Sequence, residues 1–156
     1  DIVHISDDWG ENERMMMRPA VWREHIYPTE SITVEAARSA GGRVSVHCDG
    51  YFYDVLEYLV EMGVQCVHPV QQSAGMDVAK FKRDFAGRLA LYGGLDIRHT
   101  LPRGTLQELE DEVRDLFRTM KPGGGFVFCT AHTVQPDTAL ERVELAYRVA
   151  DEESAY

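Results

Sequence analysis

His132 stands just past an apolar run, Phe126, Val127, Phe128 and Cys129, that opens after three glycines. The run reads as a short buried strand. A histidine beyond the C-terminal end of such a strand sits where α/β enzymes keep catalytic groups. Four earlier apolar stretches also end in polar residues: Asp7 and Asp8, then His47 and Asp49, then Gln71 and Gln72, then Asp96. His47 and Asp49 are one residue apart, so on an extended chain both side chains point the same way. Two imidazoles and a carboxylate on one rim (His47, Asp49, His132) could hold a divalent metal with open positions. Without a metal, His132 and Asp49 suit proton transfer, because imidazole titrates near neutrality and a carboxylate stabilises its charged form. The plainer reading makes these residues caps and turns of polar loops, and makes His47 a core histidine bonded to a backbone carbonyl. His4 and His68 inside strands, and His25 inside a helix, read as structural. His99 is a weaker candidate, and Cys48 and Cys66 read as small core residues.

The elements that must position these groups repeat one unit. Strands are expected at Ile2 to Ile5, Arg43 to Cys48, Val64 to Val70, Leu89 to Tyr92 and Phe126 to Cys129, each followed by a helix. Pro19 opens the first helix, Pro28 should kink or divide it, and Gly41 and Gly42 end it. Phe52, Val55, Leu56, Leu59 and Val60 recur at helical spacing before a stop at Gly63. Asp77 caps a short helix. Thr105 with Glu108, and Thr138 with Glu141, spell two capping boxes. Short, wholly apolar strands alternating with helices predict a parallel sheet covered on both faces. No GxGxxG loop follows the first strand, which disfavours a dinucleotide-binding fold. At ~30 residues per βα unit, five units fill this chain, against the ~250 residues of a (β/α)8 TIM barrel. The fold class is therefore α/β: the C-terminal five βα units of such a barrel, as a single partial domain over residues 1–156.

The chain has 156 residues and a formal net charge of −10, which argues against nucleic acid or an anionic membrane as partner. The first residue is Asp1, within an expected strand, so the start of a larger protein is expected to be missing. No apolar run is long enough to span a bilayer and no signal-peptide pattern is present. Three cysteines in or beside apolar strands, none spaced as CxxC, predict reduced thiols and a cytoplasmic protein.

Five segments carry a family resemblance: SDDWG (Ser6 to Gly10), HCDG (His47 to Gly50), HPVQ (His68 to Gln71), GMD with KFKRDFAGRLALYGGLD (Gly75 to Asp96), and GGGFVFCTAHTVQPD (Gly123 to Asp137). Through them the whole chain resembles the C-terminal part of the uroporphyrinogen decarboxylase superfamily. That group has a (β/α)8 fold and includes methylcobalamin:coenzyme M type methyltransferases. In the decarboxylase branch a functional histidine follows the last strand, and His132 matches it. An Asp-Gly there matches Asp49 and Gly50, and Asp7 occupies the place of a substrate-contacting serine. That branch has no histidine where His47 stands. The methyltransferase branch binds zinc through His-x-Cys and a later cysteine. His47 matches the histidine, Asp49 replaces the first cysteine and His132 falls about where the second should be, which implies a harder metal site or none.

The resemblance implies first a carboxy-lyase acting on a tetrapyrrole or related carboxylate. In it His132 and Asp49 are catalytic, Asp7 contacts substrate and no cofactor is required; Asp8, Gln71 and Asp96, as polar groups at the strand ends, are expected to contact substrate with them. The alternative is a corrinoid-dependent methyltransferase with zinc or another divalent metal at His47, Asp49 and His132 and a corrinoid protein as partner. A second alternative is a non-catalytic binding subunit. A small-molecule substrate is the expected partner, with a homodimer as the candidate assembly. Two open sheet edges and an uncovered apolar interior predict that this chain alone is inactive and aggregates or stays molten.

Overall fold

The structure, a computed structural model, describes residues 1–155. Its strands are β1 (Ile2–Ser6), β2 (Arg43–His47), β3 (Cys66–His68), β4 (Ala90–Leu95) and β5 (Phe126–Thr130). They pair in sequence order as one all-parallel sheet. The helices that follow them are α1 (Pro19–His25) and α2 (Tyr27–Ser39) after β1, α3 (Leu56–Met62) after β2, α4 (Val78–Phe85) after β3, α5 (Thr100–Arg103) and α6 (Leu106–Met120) after β4, and α7 (Leu140–Ser154) after β5. Sequence-adjacent parallel strands joined by helices give the α/β architecture expected of a part of a (β/α)8 barrel.

Local chemistry explains most boundaries. Proline at the head of both α1 and α2 makes Pro28 divide the first helical stretch as expected. Gly63 takes the left-handed conformation that ends α3. Asp77 accepts the Lys80 N–H at 2.9 Å at the head of α4. Both halves of the Thr105–Glu108 box are formed. The Thr138–Glu141 box is not: α7 is capped by Ala139, without a side-chain bond. Thr138 instead donates its N–H to the Gln135 carbonyl at 3.0 Å, so a turn holds it one residue short of the cap.

Two strands also differ from expectation. β3 stops at His68, because Pro69 has no N–H for the ladder. β4 runs on through Gly93 and Gly94, at φ 130° and 102°. A Cβ on Gly93 would lie 2.6 Å from the Pro69 carbonyl oxygen, and that oxygen accepts the Gly94 N–H at 3.1 Å. Glycine lets β4 press against the β3 exit where any side chain would collide.

The two sheet faces are unlike. Val44, Val46, Val67 and Leu91 are buried, in one core with Leu109, Val113 and Leu116 of α6 and Val34 of α2. The register places Ser45, His47, Cys66, His68 and Tyr92 on the opposite face. The expected uncovered apolar interior is thus a correction: that face carries imidazoles, thiols and hydroxyls among few aliphatic groups. Both edges keep exposed apolar residues, Ile2 and Val3 on β1 and Val127 on β5.

Candidate active site at the C-terminal ends of the strands

Three loops are knitted together at the strand ends. Trp9 is buried and packs its ring on Trp22 of α1, centroids 4.9 Å apart. Its indole N–H donates to Asp7 Oδ2 at 2.8 Å and its backbone N–H meets Cys48 Sγ at 3.3 Å. This anchor aims Asp8 at the next loop, where Asp8 Oδ1 accepts the Asp49 N–H at 2.8 Å. Gln71 Oε1 accepts the Gly50 N–H at 3.1 Å from the far side. Gly10 and Gly50 meet in close backbone contact: a Cβ on Gly10 would lie 2.4 Å from the Asp49 carbonyl oxygen, and one on Gly50 2.7 Å from the Gly10 carbonyl carbon. The conformation of Asp49 is therefore set by neighbours on both sides.

The expected constellation assembles here. His132 Nε2 lies 3.2 Å from Asp49 Oδ2. His47 Nε2 lies 3.7 Å from Asp49 Oδ1 and 3.7 Å from Asp8 Oδ1. The His47 and His132 rings are 6.4 Å apart. Burial raises the Asp49 carboxyl above the usual carboxylate range; His47 and His132 pull it back down, and Asp8 adds to the rise. Asp49 Oδ1 is buried and has no hydrogen-bond partner. A carboxylate in such surroundings is poised to take a hydrogen or a cation.

The other expected contacts take different places. Asp7 serves Trp9. Gln71 serves Gly50 and lines a cleft of about 720 Å³ with Gly10, Asn12, Arg14, Asp49 and Gly50. Asp96 is 8% exposed and accepts backbone N–H bonds from Arg98, His99 and Thr100. Burial raises its carboxyl, but those three donors outweigh it and hold the group below the usual carboxylate range. Asp96 thus caps the turn into α5. The thiol of Cys48 is fully buried, and burial pushes it up to about 12, as a core residue should be.

Two residues were missed as site members. His68 is not merely structural: its Nδ1 lies 2.7 Å from His47 Nδ1, and its ring packs 4.8 Å from Tyr92. Burial, then the neighbouring His47 and His4, push it down to about 4. The available signal was pairing, since His47 and His68 each close a strand and the two strands are neighbours. Arg14 is the other, a cation in the cleft beside Asp49, paired with Glu11 at 3.3 Å. Its place depends on a loop that carries no periodic signal.

A parallel α/β sheet that gathers a carboxylate and two imidazoles at its strand ends has the arrangement of a part of a (β/α)8 barrel. Residues 1–152 match the uroporphyrinogen decarboxylase (URO-D) family, and the chain belongs to it. Among solved structures it is similar to a methyltransferase from Methanosarcina mazei, with a TM-score of 0.76 and 22% identity, over 99% of this chain and 43% of that one. The chain thus spans less than half the length of that protein, and the likeness establishes the fold. No curated protein matches it. Among the described residues no helix is long and apolar enough to cross a membrane.

Proposed function

We propose that this mouth belongs to a carboxy-lyase of the decarboxylase type, acting on a tetrapyrrole or related carboxylate. The observation that carries the reading is the 3.2 Å contact of His132 Nε2 with Asp49 Oδ2. A protonated His132 held by Asp49 delivers its hydrogen to a ring carbon of the substrate. The ring becomes cationic, and Asp8 and Asp49 stabilise that charge. The electron pair of the bond to the departing carboxylate flows into the ring, and carbon dioxide leaves. A proton from solvent water then adds to the carbon that lost carbon dioxide, and the ring returns the first proton to His132. The net change is replacement of one carboxylate by one hydrogen. Arg14, in the cleft beside Asp49, supplies a cation for a further substrate carboxylate.

The test is carbon dioxide release from a porphyrinogen by the purified full-length protein. His132→Ala and Asp49→Asn should each lower the rate on the order of 10²–10⁴-fold, the usual worth of a positioned proton-transfer group. Activity unchanged in both would overturn the assignment.

A second reading has its own observation. Asp8, His47 and Asp49 each offer a ligand atom, all within 4.8 Å of one another. Two oxygens and one nitrogen, with Asp49 Oδ1 unpartnered, fit a hard divalent cation. A thiolate-rich zinc site does not fit, since Asp49 stands at the cysteine position and Cys48 is in the core. Under the methyltransferase reading, with a corrinoid protein as partner, these three residues would hold the ion, with His132 on the other oxygen of Asp49. A cation there would supply Lewis-acid activation of a bound nucleophile. Metal analysis separates the readings: one bound equivalent, lost in His47→Ala, favours the methyltransferase.

A further inference from the structure

One wall of the cleft beside Asp49 is the tip of the loop from β1 to α1, Glu11 to Arg14. That tip is tied to the three loops that follow. The Tyr51 N–H donates to the Glu11 carbonyl at 2.8 Å, and the Glu13 N–H donates to the Ala74 carbonyl at 3.2 Å. The third tie is between side chains: Arg98, in the loop after β4, donates from Nη1 to Asn12 Oδ1 at 2.8 Å. Asp96 accepts the Arg98 backbone N–H at 3.2 Å and so fixes where that arginine begins its reach. A guanidinium can only donate. The Asn12 amide is therefore turned with its oxygen toward Arg98 and its NH2 group away from it. Gln71 is set by the same logic, because its Oε1 accepts the Gly50 N–H at 3.1 Å and a backbone N–H can only donate. Both amides line the cleft. Among the described residues neither Asn12 Nδ2 nor Gln71 Nε2 has a hydrogen-bond partner. Arg14, on the same wall, bonds Glu11 through Nε alone, at 3.3 Å. The acceptors of these side chains are occupied and their donors are left over.

We propose that Asn12, Gln71 and Arg14 form a subsite for a carboxylate that the substrate keeps, and that Arg98 is a positioning residue that holds the Asn12 amide with its donors free for that group. Two amide NH2 groups and a guanidinium match an ionised group that has two oxygens and no hydrogen of its own. Glu11 is offset by Arg14, whereas Glu13 has no cationic partner among the described residues and opposes an anion there. The identity of the ligand as a substrate rests on the carboxy-lyase reading; the orientation of the two amides does not.

Calorimetric titration of the full-length protein with tricarballylate, and with its neutral trimethyl ester, tests this. The acid should bind and the ester should not. Asn12→Asp and Gln71→Glu each keep the oxygen that Arg98 or Gly50 needs and remove the donors. Each should weaken the acid by about tenfold or more, and Asn12→Asp should do so without lowering the melting temperature. Asn12→Leu adds no charge and should weaken binding as well, which a purely electrostatic effect would not do. Arg98→Leu, which leaves the amide free to turn, should weaken it by a smaller factor, and Glu13→Gln should strengthen it. No binding of the acid by the unsubstituted protein overturns the proposal, and so does equal binding by the unsubstituted protein and the two Asn12 variants. Should Gln71→Glu fail to fold, the Asn12 variants decide alone. Acid binding that depends on Asn12, without carbon dioxide release, would sink the lyase and leave this subsite standing; carbon dioxide release without such binding would do the opposite.

Discussion

His68 makes a pH dependence that the whole fold must bear. Its ordinary value is 6.5 and burial takes it to about 4. Between those values the unfolded chain binds a hydrogen that the folded chain refuses. Stability linked to His68 is therefore complete above about pH 6.5 and is lost as the pH falls toward 4. After discounting for solvent around a half-buried ring, the loss is on the order of 1–2 kcal/mol. Urea midpoints at pH 7 and pH 5 check this. The unsubstituted protein should fall further than His68→Gln, and equal falls would remove the effect. At this scale much was legible. His132, His47, Asp49 and Asp8 were all picked out by their places past strand ends, and they meet. His68 was misjudged because one strand cannot show which side chain of the next lies beside it.

At the scale of elements, the β3–β4 contact rests on a missing side chain. Gly93→Ala would bring a Cβ against the Pro69 carbonyl at a φ of 130°, so the strand must shift or lose its bond from Gly94. A cost of roughly 2–4 kcal/mol is expected, combining backbone strain with a displaced hydrogen bond. Thr105→Ala removes one half of a formed capping box on the exposed head of α6 and should cost only about 1 kcal/mol. Comparing both variants by urea unfolding tests the ranking; an equal or reversed order would contradict it. The helices with amphipathic spacing, such as α6, were readable because period and caps are local properties. The end of β4 and the failed box before α7 were not. One depends on the backbone of another strand, and the other on a turn that competes for the same N–H.

The sheet as a whole has unpaired N–H and C=O groups along β1 and β5, beside exposed Ile2, Val3 and Val127. Such edges template further pairing. The 156-residue chain alone is expected to self-associate, and sedimentation velocity would show oligomers growing with concentration. A monomer that melts in one sharp step would count against this. The polar character of the open face moderates the expectation, because hydroxyls and imidazoles there accept water where an aliphatic layer would not.

By itself, the order of apolar runs and breakers determined the number of strands, their parallel pairing through helical crossovers, and the polar groups delivered to one end. These follow from chain-local periods and from the handedness of the connections. Only the tertiary structure decided which oxygen of Asp49 meets which imidazole, that Asp96 serves a turn, and that His68 stands behind His47. Those outcomes depend on register and on loop backbones packed within contact distance, and a side chain's partner across a sheet is a property of two strands at once.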